Sequence, residues 1–386
     1  MDNYSDNTSV RKEKEIFDSI ADWIIELLKN RHQESSPIKR LQNIIRLSVS
    51  LVTILYILFL LLIYTGIEFI GQRWWLTAFL SYLPQTIWLA PLFIVSIFAI
   101  IFSRKTMMLI GVAAIFVIAA LMKPNFSFLF KNIKPDIVVM TNNIGQDNKQ
   151  SLSPFIKSQN PDIIVLQETA GRTRQFTNSF PQYSYLQVGE FGILSKFKIL
   201  NYKTIVVPEK TWLSIGVRCE ILFSNTTLAI YNIHIPSPRN DLLKSTGRGF
   251  IIASIGNIYN NGRFGKYKNE LQDSWNQRVR YYELLKSEIE KEDKPFIVAG
   301  DLNLPNYGPL YRMLCKDLKD SFNECGFGFG YTFPGETLNP LSLFGPWLRI
   351  DYIFAGKGCV PTFSKVESNR KSQHLAVAAG FKINNE

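Results

Sequence analysis

Polar side chains stand at the ends of several short apolar runs in the C-terminal part of this chain of 386 residues. The run FIVAGDLN ends on Asp301 and Asn303, and the run DIIVLQE ends on Glu168. One such residue is most simply a turn residue, because Asp and Asn favour turns. Several strands that end in this way indicate a shared site, because a buried charge is unfavourable unless it is paired or bound to a metal ion. The other members of the set are Asn142, Asn143, Asn232, His234 and Asp351.

Histidine is rare in this chain, which has three in total. His32 lies in a polar N-terminal segment, whereas His234 (in NIHIP) and His374 (in SQHLAV) follow or end apolar runs. A single strand histidine is more often a core residue with satisfied hydrogen bonds. Two of them in one set with three acids and several amides favour a functional site instead.

Carboxylate, amide and imidazole groups together are typical of a site for Mg²⁺ or Mn²⁺. The four cysteines include no CxxC pair, which argues against zinc and leaves a Cys315–Cys325 bridge or buried free thiols as open alternatives. A divalent ion neutralises charge on a phosphoryl group and polarises it for attack. A carboxylate and a histidine then supply the base for water and the proton donor for the phosphate. These residue types predict metal-assisted cleavage of a phosphate ester.

The elements that must position these residues begin near residue 131, where the sequence changes to short β-branched runs separated by turns. Strands with intervening helices predict one α/β domain over residues 133–386. Apolar residues at helical spacing predict a helix over 274–292. Residues 238–273 are rich in Gly, Asn, Lys and Arg and indicate a long surface excursion. The predicted strands are 136–144, 162–168, 191–196, 228–235, 296–303 and 348–355.

Three apolar runs precede this domain: Leu47–Ile67, Trp74–Phe102 and Thr106–Met122. Because about 20 apolar residues cross a bilayer core of about 30 Å, residues 45–122 are predicted to form a transmembrane region of three helices. The third run is at the short end, which leaves a soluble-core or re-entrant helix open. Residues 1–44 are predicted to contain an amphipathic helix, on the inner membrane face or as a juxtamembrane or self-association helix.

Positive charges around these runs predict the orientation, since Lys and Arg favour the cytoplasmic side. Lys39, Arg40 and Arg46 precede the first run, and Arg104 and Lys105 lie between the second and the third. This pattern places the N-terminus in the cytoplasm and the C-terminal domain outside. The orientation of that domain inverts if the third run does not cross.

The region after residue 122 is basic, with 32 Lys and Arg against 23 Asp and Glu, a net charge of +9. A basic excess favours an anionic partner such as a phosphate, a nucleic acid or a lipid headgroup, although a solvated surface without a partner has the same charge. Four basic residues of the excursion fit nucleic-acid phosphates and anionic lipids equally well. They are Arg248, Arg263, Lys266 and Lys268.

Eight short motifs of the chain resemble, in order and spacing, the signature series of the endonuclease/exonuclease/phosphatase superfamily. That superfamily includes DNase I-like nucleases, phosphoinositide phosphatases and sphingomyelinases, and the resemblance covers residues 135–383. It implies a four-layer α/β sandwich, two β-sheets flanked by helices, preceded here by the helical transmembrane anchor. The motifs are MTNNIG, DIIVLQE, GILSK, YNIHIP, VAGDLNLP, YTFP, RIDYIFA and SQHLAV.

The resemblance implies a role for each matching residue. Asn143 and Glu168 would hold the metal ion, Mg²⁺ or Mn²⁺, with Glu168 as the main ligand. His234 would hydrogen-bond or protonate the phosphoryl group. Asp301 would orient the attacking water with the help of Asn303.

The last motif carries both an expected pair and a departure. Asp351 would pair with His374, fixing its tautomer and keeping it cationic near the phosphate. The final motif of the family reads Ser-Asp-His, and here it is Ser372-Gln373-His374. The missing acid commonly helps to hold the metal, so Gln373 predicts weaker metal binding, and loss of activity is left open.

The chain also resembles membrane-anchored bacterial proteins of this superfamily, including those associated with glycopeptide resistance. This implies a phosphoesterase of the bacterial plasma membrane that hydrolyses a phosphate ester or pyrophosphate of an envelope lipid, with the bilayer and that anionic substrate as its partners. A tethered site meets headgroups at high effective concentration. Two alternatives stay open: a surface-tethered nuclease for external DNA or RNA, and a catalytically silent binding module owing to Gln373.

Overall fold

The chain divides into two compact units. The first comprises the residues up to Leu62 and Thr86–Leu121, and the second comprises Ile63–Gln85 and Met122–Glu386. Residues 63–85, which the sequence analysis placed in the transmembrane region, therefore fold with the unit that contains the predicted α/β domain. The predicted amphipathic helix, Arg248 and Arg263 lie outside what is described, and so do the side chains of Lys266 and Lys268. The computed structural model describes residues 36–127, 133–145, 149–238, 264–337, 342 and 345–384, with the side chains of 264–268 and 271 left aside.

Three helical stretches of the described chain are long and apolar enough to cross a membrane: Pro37–Arg73, Gln85–Phe102 and Arg104–Met122. The described α-helices are α1 (Pro37–Thr65), α2 (Trp75–Ser81), α3 (Leu89–Phe102), α4 (Arg104–Phe116), α5 (Ser153–Gln159), α6 (Thr173–Ser179), α7 (Phe264–Ile289), α8 (Pro309–Leu314) and α9 (Ser321–Cys325).

The first unit is joined by a few polar contacts between its helices. The hydroxyls of Ser50 on α1 and Thr106 on α4 are 2.8 Å apart, and Arg46 Nε donates to the carbonyl of Phe102 at 2.9 Å. Large apolar side chains such as Phe93 and Ile101 are exposed on these helices. Exposed apolar surface with internally satisfied polar groups is what a lipid environment requires.

The second apolar run, Trp74–Phe102, does not form one helix. Its first part forms the short helix α2 in the second unit, and the membrane-length stretch begins at Gln85, directly after Pro84. Proline lacks a backbone N–H and suits the first turn of a helix. The break therefore falls at Pro84.

The second unit contains two six-stranded sheets among its described residues. Their orders are β10-β12-β9-β8-β7-β6 and β13-β14-β2-β3-β5-β4. In each sheet one pair of neighbours is parallel, β8 with β9 and β2 with β3. The strands are β1 (Asn125–Phe126), β2 (Ile137–Asn143), β3 (Ile163–Gln167), β4 (Ser184–Val188), β5 (Phe191–Ser195), β6 (Ile199–Val207), β7 (Lys210–Phe223), β8 (Thr226–His234), β9 (Phe296–Asp301), β10 (Lys319–Asp320), β11 (Phe327–Gly328), β12 (Asp351–Ala355), β13 (Cys359–Val366) and β14 (Val377–Ile383).

The layers follow from three buried apolar clusters. Val139 and Ile230 belong to the layer between the two sheets. The outer face of the sheet that contains β8 packs on α7 and α8 through residues such as Tyr282 and Leu310. The outer face of the other sheet packs on α5 through Phe155. The order helix, sheet, sheet, helix confirms the predicted four-layer α/β sandwich.

All six predicted strands are present, with ends that differ from the prediction by at most three residues. The predicted helix 274–292 begins earlier, at Phe264, so residues 264–273, which were predicted to belong to the surface excursion, are helical. The reason is that the sequence from Lys266 to the end of this helix at Ile289 has no Gly or Pro that would prevent a helix. The cysteines are free thiols, so the Cys315–Cys325 bridge is absent from the described chain.

Candidate active site

Strand ends from both sheets meet at one edge of the sandwich. Because β8 and β9 are parallel, His234 and Asp301 lie side by side at their carboxyl ends. β12 runs antiparallel to β9, and its first residue, Asp351, lies opposite Asp301. In the facing sheet the parallel pair β2 and β3 ends at Asn143 and directly before Glu168.

The amide of Asn143 joins the two sheets. Its Nδ2 donates to Glu168 Oε1 at 3.0 Å and to Asp301 Oδ2 at 3.1 Å, while its Oδ1 accepts from the N–H of Gly145 at 2.9 Å. Asn143 and Asp301 are buried, whereas the Glu168 side chain is 33% exposed. The network is therefore open to solvent at Glu168.

Glu168 needs unusual local backbone. Its φ of +51° is in the left-handed region, which is uncommon for a residue other than glycine. A Cβ at position 145 would collide with Oε2 of Glu168. The glycine that closes the motif MTNNIG is therefore explained by the carboxylate beside it.

His234 is held by an acid, Glu190, that was not among the predicted site residues. Its Nδ1 is 3.1 Å from Glu190 Oε1, in the turn between β4 and β5, and its Nε2 is 3.7 Å from Glu168 Oε1 and 3.8 Å from Asp301 Oδ2. Burial by itself lowers the pKa of His234, but the three carboxylates outweigh it and raise that pKa above its ordinary value. The protonated form is thereby favoured, with Nε2 between two acids.

His374 and Asp351 form a buried pair. Nδ1 of His374 is 3.0 Å from Asp351 Oδ2, and its Nε2 is 3.8 Å from Asp301 Oδ2. Burial opposes the charge on His374, yet Asp351 and Asp301 raise its pKa to about 9. Burial, together with the charge of Asp351, raises the pKa of Asp301 to about 6, and His374 opposes this shift. At neutral pH the site therefore holds an imidazolium next to a carboxylate.

Asn303 follows β9 in the left-handed conformation, with φ +48°. Its backbone N–H donates to Asp301 Oδ1 at 2.9 Å. Its side-chain Nδ2 donates to the carbonyl of Ile235 at 2.9 Å. Asn303 therefore orients Asp301 through its backbone, and its side chain ties the ends of β8 and β9 together.

A buried arginine holds the loop before β14. Arg370 Nη2 donates to Asn142 Oδ1 at 2.6 Å and to the carbonyl of His374 at 3.1 Å. Its Nε donates to the Glu367 carboxylate at 2.9 Å. The position of His374 is thus fixed through a charge pair that is itself buried.

Gln373, the departure from the family motif, is half-buried. Its backbone carbonyl accepts from the N–H of Gly335 at 2.7 Å. The backbone is therefore fixed next to His374, while the neutral amide brings no charge to the site.

Two groups of site residues have donor atoms that suit a cation. Asp301, Asp351 and His374 each offer one ligand atom, and these atoms lie within 4.8 Å of one another. Those three already pair with each other as ions, however. Glu168 and Asn143 offer carboxylate and amide oxygens, which suit Mg²⁺ or Mn²⁺, and Glu168 is the more exposed acid. The second group fits the predicted metal position better.

The structure brings Asn143, Glu168, His234, Asp301, Asn303, Asp351 and His374 into one hydrogen-bonded or ion-paired network. Asn232 is different, because its Nδ2 donates to the carbonyls of Leu166 and Gly192 at 3.0 Å each. It ties the two sheets together below the site. The sequence pattern could not separate Asn232 from His234, which lies two residues later on the same strand face.

Three residues near the site were not predicted. Thr332 Oγ1 accepts from the N–H of Asp351 at 3.3 Å, and its motif YTFP was seen without a role. Glu190 lies in a turn and Arg370 in a loop, where polar residues are common and give no signal of their own. Only the fold shows that they contact the two histidines.

A family model described as the Endonuclease/Exonuclease/phosphatase family matches residues 140–374. A search of curated proteins finds no match.

Solved structures give several similar folds. A TDP2 from D. rerio complexed with a single-strand DNA product is 15% identical, with a TM-score of 0.45 over 64% of this chain and 98% of that one. A Bacteroides thetaiotaomicron mannosyl-6-phosphatase is 16% identical, with a TM-score of 0.43 over 64% and 100%. An AP endonuclease from Archaeoglobus fulgidus is 17% identical, with a TM-score of 0.43 over 64% and 100%.

Proposed function

The chain belongs to the endonuclease/exonuclease/phosphatase family, and we propose that it is a membrane-anchored, divalent-metal-dependent phosphoesterase. Members of this family are hydrolases of phosphate esters, and they generally use divalent metal ions. The observation that carries the proposal is that Oδ2 of Asp301 lies 3.8 Å from Nε2 of His234 and 3.8 Å from Nε2 of His374, next to the partly exposed Glu168. Such a cluster combines a base, two cationic donors and a ligand for a cation.

Each group has a chemical role in this proposal. Asp301 accepts the proton of the attacking water, and Asn303 fixes its orientation through the backbone N–H. His374, held cationic by Asp351, and His234, held by Glu190, stabilise the phosphoryl oxygens.

Glu168 and Asn143 are the residues that would hold the metal ion. When bound, Mg²⁺ or Mn²⁺ supplies positive charge to the phosphoryl group and polarises it. The neutral Gln373 in place of an acid weakens this site without removing Glu168, its main ligand.

The substrate that we propose is a phosphate ester or pyrophosphate of an envelope lipid. Tyr82 OH donates to the carbonyl of Asn303 at 2.5 Å, and Tyr82 lies three residues before Gln85, where a membrane-length helical stretch begins. A site that is tethered in this way to a membrane-length stretch would meet headgroups at high effective concentration.

The proposed location is the bacterial plasma membrane, with the N-terminus in the cytoplasm and the catalytic unit outside. The three membrane-length helical stretches support membrane association. The distribution of Lys and Arg around them supports this orientation.

The test uses the full-length protein in detergent micelles with Mg²⁺ or Mn²⁺. Plasmid DNA, a prenyl pyrophosphate and a choline phospholipid are assayed in parallel, with and without EDTA. Glu168→Gln and His374→Ala are the site variants, each expected to lower turnover by at least about 100-fold. Glu209→Gln, an exposed acid in the turn between β6 and β7, is the matched control for lost charge.

Metal-dependent turnover of the prenyl pyrophosphate or the phospholipid, lost in both site variants and retained in Glu209→Gln, supports the proposal. Cleavage of plasmid DNA alone, steeply dependent on salt, would replace it with the nuclease alternative. No turnover of any substrate by the wild type or by Gln373→Asp would favour the silent binding module.

A further inference from the structure

The carbonyl of Asn303 receives three donors from buried side chains. Tyr82 OH lies at 2.5 Å and Arg278 Nη2 at 2.8 Å, while Tyr282 OH lies at 3.3 Å and shares its proton with the carbonyl of Leu302, which is nearer at 2.8 Å. On the other side of the same residue, the backbone N–H of Asn303 donates to Asp301. The backbone of Asn303 is therefore held between the proposed base and this group of donors.

Two of the three donors come from α7, which covers the outer face of the sheet, and the third comes from a distant part of the chain. Arg278 and Tyr282 are one helical turn apart on α7, and Arg278 also donates to the hydroxyls of Tyr282 and Tyr82. Tyr82 follows α2, between two membrane-length helical stretches. Tyr82 belongs to residues 63–85, called the inter-span segment below, which run from the end of the first membrane-length stretch to the start of the second. A residue from this segment thus contacts the loop that orients the base.

Apolar packing fixes the inter-span segment against the catalytic fold. Trp75, Ala78 and Tyr82 share a buried cluster with Trp275 and Leu348, among others. The rings of Tyr82 and Trp275 are 5.5 Å apart. The position of Tyr82 in this buried cluster is well defined, because close-packed interiors allow few alternative side-chain arrangements.

Polar contacts fix the same segment at both of its ends. Glu68 accepts from the side chains of Lys123 and Arg312, and the N–H of Gly308 donates to it at 3.3 Å. Near the other end, Tyr307 OH donates to the carbonyl of Ser81. The segment 63–85 is therefore part of the catalytic unit along its length.

We propose that the inter-span segment completes the active site, and that Tyr82 is a positioning residue which acts through the carbonyl of Asn303. This inference rests on the proposed activity of the site. Removing the Tyr82 hydroxyl loosens the loop after β9, so Asp301 spends less time in the orientation that accepts the proton from water. Misplacement of a catalytic group lowers kcat more than it changes substrate binding.

The chain offers a closely matched control. Tyr82→Phe and Tyr307→Phe each remove one buried hydroxyl that joins the inter-span segment to the catalytic fold, but only the Tyr82 hydroxyl ends on Asn303. If the segment matters only for packing, the two variants behave alike. If Tyr82 positions the loop, they differ.

Two measurements on the full-length protein in detergent test this. Hydrogen exchange followed by mass spectrometry, on peptides that cover residues 296–308, is expected to show about 10-fold faster exchange near Asn303 in Tyr82→Phe. Turnover of bis(4-nitrophenyl) phosphate with Mn²⁺ is expected to show a kcat about 10-fold lower, with KM within about 2-fold of wild type. Tyr307→Phe is expected to match the wild type in both.

Equal effects of the two variants on exchange near Asn303, or no effect of Tyr82→Phe, would overturn the positioning role. Exchange does not depend on turnover, so it tests whether Tyr82 holds the Asn303 loop even if the wild type hydrolyses no phosphate ester. In that case the proposed activity would fail while the position of Tyr82 in the loop was still established. Faster exchange without any change in kcat would also reject the positioning role.

Discussion

Two loops of the site are each held by a buried arginine, and the two arginines differ in their partners. Arg370 binds the carbonyl of His374 and is neutralised by Glu367. Arg278 binds the carbonyl of Asn303, and among the described residues its hydrogen bonds end on hydroxyls and carbonyls rather than on a carboxylate. The His374 side is therefore stabilised by residues of the α/β domain alone, whereas one donor to the Asn303 side, Tyr82, lies between two helical stretches of membrane length.

The largest effect is expected from a fragment that starts at residue 122 and so lacks residues 63–85. In this fragment Trp275, Leu348 and Ile350 become exposed. The burial of each such side chain stabilises the fold by about 1.5–3 kcal/mol. We expect its melting temperature to be roughly 10–20 °C below that of a fragment in which residues 63–85 are fused to residue 122 by a Gly/Ser linker. Circular dichroism melting of both fragments checks this. Identical melting curves would show that the α/β domain, with the Asn303 loop, is stable without residues 63–85.

The next effect is that of Arg370→Met. It leaves Glu367 buried without its cation, and breaking a buried pair in this way costs about 3–5 kcal/mol. We expect the melting temperature of the full-length protein in detergent to fall by roughly 10 °C. In the double variant Arg370→Met/Glu367→Gln, part of that loss should return. If it does not, the hydrogen bonds of Arg370 to the loop matter more than its charge.

A smaller loss of stability is expected for Arg278→Met. No carboxylate is orphaned by this change, and the loss is that of charged hydrogen bonds to carbonyls and hydroxyls, about 2 kcal/mol. The melting temperature should therefore fall by about half as much as in Arg370→Met, while kcat falls because the Asn303 loop is loosened. A loss equal to that of Arg370→Met would remove the contrast between the two arginines.

The smallest effect is expected at Gln373, next to His374. Gln373→Asp adds a carboxylate at the edge of the site, and we expect the apparent affinity for Mn²⁺ to rise about 10-fold, or about 1.4 kcal/mol. Titration of activity with Mn²⁺ measures this, and Gln373→Asn serves as the neutral control. An unchanged affinity would mean that the side chain of residue 373 does not reach the metal position.

The strands and the set of site residues could be predicted because both depend on local patterns. Apolar runs that end in an acid, an amide or a histidine are visible in the sequence, and the carboxyl ends of parallel strands meet at one edge. The pairing of His374 with Asp351 was implied by the family resemblance and is present in the structure.

The role of residues 74–82 could not be predicted from the same patterns. Their apolar side chains are equally suited to lipid and to a protein core, so hydropathy assigned them to a membrane span. The packing of Trp75 and Tyr82 against Trp275, about 200 positions later, decides between the two environments. Glu190 and Arg370 were not predicted for a related reason. Only their contacts with His234 and His374 distinguish them from other polar residues of turns and loops.

The apolar layer between the sheets also sets a distance that matters for chemistry. Glu168 follows a strand of one sheet, and Asp301 ends a strand of the other, so the thickness of the layer that contains Val139 and Ile230 fixes how far apart they stand. Sheets pack about 10 Å apart, and a core that gains or loses a methylene shifts its neighbours. Compensating changes of side-chain volume in this layer, far from any polar group, can therefore alter the distance between Glu168 and Asp301 in the course of evolution.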